Sequence, residues 1–110
     1  MLIEIRRYPV RPGRHPEWVR YMDEVIIPFQ QDRGMRILGT YEEVDNPDGY
    51  VWLREFSDEA ERGRLYALVY QDPEWLGPIR DQVLELVDVD GIVVTLIRPT
   101  MAAAGQDEPA

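Results

Sequence analysis

Glu4, Arg6 and Tyr8 occupy alternate positions of the stretch "EIRRY", residues 4–8. In an extended strand that spacing puts a carboxylate, a guanidinium and a phenol on one face, opposite Ile3 and Ile5. With Ile3 and Ile5 expected to point into a core, the polar face has two readings. In the first, Glu4 and Arg6 pair with charged neighbours on an adjacent strand, such as Arg54 or Glu55, and hold the sheet in register; rim pairs of this kind contribute about 0–1 kcal/mol each. In the second, Arg6, Tyr8, Trp52 and Arg54 line a pocket with aromatic walls and a few convergent polar groups, to which Tyr41 and Trp75 add further wall. An arginine there favours an anionic, enolate or quinone-like oxygen. His15 is the only imidazole and so the candidate general base near neutral pH, with the Tyr8 phenol as a second proton-transfer group. Its position beside Pro16 at a helix entry, taken alone, favours an exposed, inert imidazole over that role.

What the chain lacks narrows the chemistry further. It has no Cys, which removes thiolate nucleophiles, disulfides, iron–sulfur clusters and thiolate zinc sites together. All 12 basic residues are Arg, so Schiff-base chemistry on a lysine amine is excluded. One histidine cannot build a multi-histidine metal site. The sole serine, Ser57, stands just ahead of a helix signal, where capping or a turn suits it better than nucleophilic attack. No metal and no covalently attached cofactor is expected. The net charge of −9, from 21 acidic against 12 basic residues, argues against nucleic acid or an anionic membrane surface as partner. No stretch approaches the roughly 20 apolar residues of a membrane span, and the charges at Glu4, Arg6 and Arg7 interrupt any signal-peptide run, so a cytoplasmic location is expected.

The elements that must position these groups can be read from periodicity and punctuation. A chain of 110 residues is long enough for one core, expected over residues 1–100 with a mobile polar tail over 101–110. Leu2 to Pro9 reads as a strand, broken by Pro12 and Gly13. Trp18, Met22, Val25, Ile26 and Phe29 then form the apolar stripe of a helix ending near Gly34, with Trp18, Met22 and Phe29 read as core rather than ligand wall. Pro28 should kink or loosen its last turns, because it removes the backbone bond to residue 24. Met35 to Val44 and Tyr50 to Phe56 read as a hairpin around the turn "DNPDG", Asp45 to Gly49. Asp58 with Glu61 has capping-box spacing and opens a second helix towards Tyr70. "DPEW", Asp72 to Trp75, opens another, irregular at Gly77 and Pro78, and Gly91 to Pro99 reads as the last strand.

Strand, helix, strand, strand, helix, strand is the split βαβ order of ferredoxin-like α+β folds, with a four-stranded antiparallel sheet and the helices on one face. The last strand is apolar on both faces: Ile92, Val94 and Leu96 on one, Val93 and Ile97 on the other. Helices can cover only one of them, so a second copy of the same sheet is the simplest cover for the other, and a face-to-face homodimer is expected.

The motifs "EIRRY" at 4–8, "RPGR" at 11–14, "GMRILGTY" at 34–41 and "DPEW" at 72–75 together resemble the NIPSNAP family, a branch of the dimeric α+β barrel superfamily, over about residues 2 to 99. The resemblance implies a ferredoxin-like subunit pairing as a dimeric α+β barrel and a ligand cavity between each sheet and its helices. Taken with the residue inventory, it implies a small homodimeric protein holding a small cyclic or aromatic molecule, as a cofactor-independent cyclase, isomerase or monooxygenase. A non-catalytic ligand-binding or protein-interaction module is the alternative.

Overall fold

The computed structural model describes residues 1–101. The chain forms β1 (Leu2–Pro9), α1 (His15–Tyr21), a π-helical turn (Met22–Ile26), α2 (Ile27–Asp32), β2 (Arg36–Glu43) and β3 (Asn46–Phe56). It continues through α3 (Glu59–Tyr70), a second π-helical segment (Trp75–Ile79), α4 (Arg80–Leu86), a 3₁₀ turn (Val89–Gly91) and β4 (Val93–Ile97). The sheet order is β2-β3-β1-β4, with every neighbouring pair antiparallel. This is the ferredoxin-like α+β arrangement that the order of elements predicts. The tail expected over 101–110 lies, after Met101, outside the described residues.

The hairpin is tighter than expected. Only Val44 and Asp45 form the turn, and β3 already starts at Asn46. The Asn46 side-chain oxygen accepts the Asp48 N–H at 3.1 Å, so the turn-forming residues Asn46 to Gly49 organise the first part of the strand instead of a loop. In β2 the Tyr41 ring folds across Gly39, filling the space where any larger residue would place its Cβ. Gly34, with φ +101°, ends α2 in a conformation that only glycine adopts without strain.

Pro28 does not end its helix. The residues just before it widen into a π turn, in which the Ile27 N–H bonds Met22 O five residues back, so the missing Pro28 N–H falls at the junction where the hydrogen-bond register is already changing. Pro78 sits inside the second π segment. At the start of α3 the Asp58 carboxylate accepts the Glu61 N–H at 2.8 Å, and the Glu61 carboxylate accepts the Ser57 N–H at 2.7 Å. Glu61 also receives Arg36 at 2.8 Å. The Arg36 bond first, and the Ser57 backbone bond next, bring its pKa down to about 2.

The helices pack on one sheet face. Trp18, Met22, Ile26 and Phe29 from the first helical run, Leu65 and Val69 from α3, and Val83 and Leu86 from α4 bury against β1 and β3. Here one expectation is reversed: the face of β1 that meets the helices carries Leu2, Glu4, Arg6 and Tyr8, while Ile3 and Ile5 lie on the open face. The register pairs Glu4 with Arg54, Arg6 with Trp52 and Tyr8 with Tyr50, so the inner face of β3 is equally polar and aromatic. Hydrogen bonds among these side chains, described below, make the burial tolerable. The open face is left with Ile3, Ile5, Val51, Leu53, Val93 and Ile97. In β4 both sides stay accessible, with Val93 54% and Val94 41% exposed.

Candidate functional site

A charged cluster stands between β1, β3 and α3. Glu4 Oε1 accepts Arg54 Nε at 2.9 Å and Nη2 at 2.5 Å, and Arg6 Nη1 at 3.4 Å. Its other oxygen accepts Arg62 Nε at 3.1 Å and the Tyr66 hydroxyl. Arg54 spends its remaining donors on Gln30 Oε1 at 2.7 Å, the Tyr70 hydroxyl at 2.8 Å and the Tyr66 hydroxyl at 3.2 Å. Glu4 and Arg54 are both fully buried, so the expected pairing exists but is an interior one, and the value of a rim pair does not apply to it.

Burial pushes the Glu4 carboxyl up, but Arg54, the Tyr66 hydrogen bond and Arg6 outweigh that and leave it below its ordinary 4.5. A carboxyl depressed on folding contributes stability that is complete above its unfolded value and lost as pH falls through the lower folded value. The melting temperature of the wild type should therefore drop on acidification below about pH 4.5, and the gap between it and Glu4→Gln should narrow from about pH 7 to about pH 3. Thermal melts of both proteins across that range check this; a gap that stays constant would contradict it.

Against the cluster lies a cavity of about 250 Å³ between sheet and helices. Its wall includes Trp18, Trp52 and Trp75, Arg6 and Tyr8 from β1, and Arg80 at the start of α4. Both π-helical segments contribute to it, through Met22, Ile26 and Trp75; such helical irregularities are frequent at functional sites. The Tyr8 ring sits 5.7 Å from Trp18 and edge-on to Trp52 at 6.1 Å, and the Arg6 guanidinium is 5.9 Å from the Trp52 ring. Arg6 Nε donates to the Tyr8 hydroxyl at 3.1 Å and Nη1 to that of Tyr66 at 3.2 Å. Burial raises the Tyr8 pKa and the adjacent Arg6 only partly offsets it, so the phenol keeps its proton.

Of the residues singled out from the sequence, Arg6, Tyr8, Trp52 and Trp75 come together on this wall. Arg54 stands behind it, 4.9 Å from the Trp52 ring, its charge turned to Glu4. Tyr41 lies on the open side of β2 and is 52% exposed. His15 is not on this wall; it lines a separate cleft at the β2 side with Val19, Thr40, Tyr50 and Tyr41. Trp18 and Met22, read as core alone, serve as core and cavity wall together. Tyr66, Tyr70, Gln30, Arg62 and Arg80 escaped the sequence reading. Arg62, Tyr66 and Tyr70 recur every four residues on α3, a polar stripe whose inward direction was the available signal.

The antiparallel ferredoxin-like sheet with its helices on one face is an α+β fold shared by several solved structures. A NIPSNAP-like domain protein of Burkholderia xenovorans superposes with TM-score 0.82 at 22% identity, covering 93% of this chain and 87% of that one. A protein of Agrobacterium tumefaciens gives 0.80 at 23%, covering 91% and 94%. A candidate antibiotic biosynthesis monooxygenase of Nitrosomonas europaea gives 0.67 at 11%, covering 92% and 100%, a likeness of fold. The NIPSNAP family profile matches residues 3–102, and the chain belongs to that family. No curated protein matches it. Among the described residues no helix is long and apolar enough to cross a membrane.

Proposed function

We propose that the cavity holds a small cyclic or aromatic molecule and that the protein, as a homodimer, is a cofactor-independent enzyme of the cyclase, isomerase or monooxygenase type. The observation that carries this reading is the Arg6–Tyr8 pair on a cavity wall that, apart from Arg80, is otherwise aromatic and aliphatic. A guanidinium bonded to a protonated phenol can stabilise an oxyanion developing on a bound ring and return a proton to it. Family membership and the monooxygenase-like fold neighbour support the class at the level of fold alone.

One observation favours the non-catalytic alternative. The single imidazole lies in another cleft, and the Glu4 carboxylate is taken up by its arginines, so the cavity wall offers no free base. A panel of hydroxynaphthalenes, followed by calorimetry for binding and by an oxygen electrode and tautomer absorbance for turnover, separates the two. Turnover that Tyr8→Phe reduces at least about a hundredfold, with binding kept, is the expected result. Binding without turnover by the wild type would leave the ligand-binding module.

A further inference from the structure

Every hydrogen-bonding side chain of the cavity wall can donate, and only Tyr8 can also accept. They comprise the Arg6 and Arg80 guanidiniums, the Tyr8 hydroxyl and the indoles of Trp18, Trp52 and Trp75, and the wall contains no Asp, Glu, His, Asn or Gln side chain. The Tyr8 oxygen already accepts from Arg6 and still has its O–H hydrogen to offer. The Trp18 and Trp52 Nε1 groups are buried, in residues 0% and 1% exposed, and have no hydrogen-bond partner among the described residues. Unpaired buried donors are costly and call for an acceptor.

The charge count points the same way. In the interior one carboxylate, Glu4, faces both Arg6 and Arg54, and it is the only acid paired with Arg6 among the described residues. Arg62 brings a further positive charge to Glu4, shared with the more exposed Glu59 at 3.5 Å. Arg80 makes no ion pair among the described residues and stands where the wall meets solvent. A protein of net charge −9 has thus gathered an excess of positive charge at this one place, against the sign of the whole molecule. Buried charge without a counter-charge is expensive, and an anion supplied by the ligand would neutralise it.

We propose, resting on the cavity being the binding site, that its ligand is a conjugated ring bearing a delocalised oxyanion, a carboxylate or an enolate. The oxygens accept from Arg6, Tyr8 and Arg80 while the ring lies among the tryptophans. The ring faces attract a ligand cation, but the Arg6 and Arg80 guanidiniums on the same wall repel it and no carboxylate stands there to pair it; a ligand that brings donors alone finds, among the side chains, only the remaining lone pair of Tyr8.

The test is calorimetric titration of the full chain with three probes of one shape: 2-naphthoate, 2-naphthalenemethanol and 2-naphthylmethylammonium. The expected result is that the carboxylate binds at least about tenfold more tightly than the alcohol and that the ammonium does not bind. Arg80→Gln, at the solvent edge, should shrink that preference several-fold while the melting temperature holds; Trp52→Phe, which removes the N–H together with part of a buried indole, should shrink it too, at some cost in melting temperature. Alcohol or ammonium binding as tightly as the carboxylate would overturn the oxyanion and leave the site standing, as would a preference untouched by both variants. Failure of all three probes to bind would overturn the site itself.

Discussion

Arg54→Met should destabilise the fold by about 3–5 kcal/mol, because it strips the main partner from a buried carboxylate while leaving that carboxylate in place. Arg54 and Glu4 are both fully buried, and the guanidinium ties β3 to β1, to Gln30 on α2 and to Tyr66 and Tyr70 on α3. Methionine matches the length of the aliphatic stem, so little of the loss arises from an empty volume. Adding Glu4→Gln to Arg54→Met should then recover part of the stability, since the uncompensated charge goes with it. Urea denaturation of the two single variants and the double variant measures the coupling. A single-variant loss under about 1 kcal/mol would mean that the pair behaves like a surface ion pair.

Ile97→Arg should convert the protein from dimer to monomer. Ile97 pairs with Ile3 in the register of β4 on β1, and Val93 pairs with Arg7, which places both on the sheet face that the helices leave open. Ile97 is 42% exposed and Val93 54% exposed in the single subunit, next to Ile3, Ile5 and Leu53. In the proposed assembly a second copy of this face covers it, and an arginine on it would bury an unpaired charge in a dry interface. Sedimentation at micromolar concentration should give about twice the chain mass of 12.9 kDa for the wild type and the single mass for Ile97→Arg. Val93→Arg should act in the same direction. A wild-type chain that sediments as a monomer would remove the proposed pairing.

The order of elements was legible because each relies on a local signal: alternation in β1, the apolar stripe from Trp18 to Phe29, the Asp58–Glu61 cap, the turn residues between β2 and β3. The facing of β1 was not. Alternation tells which residues share a face, and hydrophobicity then assigns the apolar set to the interior. In this sheet the opposite set is inside, because Arg54, Gln30, Tyr66 and Tyr70, distant in sequence, supply the partners that let Glu4 and Arg6 be buried. No local pattern reports such long-range satisfaction. The same reversal explains why a pocket reading and an ion-pair reading of "EIRRY" looked like alternatives: Arg6 serves the cavity and the Glu4 cluster at once. Irregularity was legible at Pro28 and at Gly77 and Pro78, but its π-helical form was not, because a change of hydrogen-bond register does not alter which residues are apolar. His15 and Tyr41 were candidates by chemical type alone, and type carries no information about position on the sheet.

The placement of the tryptophans has an optical consequence. All three in the chain stand on the cavity wall, so the indole fluorescence of this protein comes entirely from the surroundings of that one space. Trp18 and Trp52 are shielded from water and should emit to the blue of free tryptophan, shifting red only when the helices lift from the sheet. A molecule entering the cavity would instead alter intensity at nearly fixed wavelength, by contact quenching or energy transfer. Occupancy and unfolding are thereby written on separate axes of one spectrum, and the unlabelled chain can report both in a single titration.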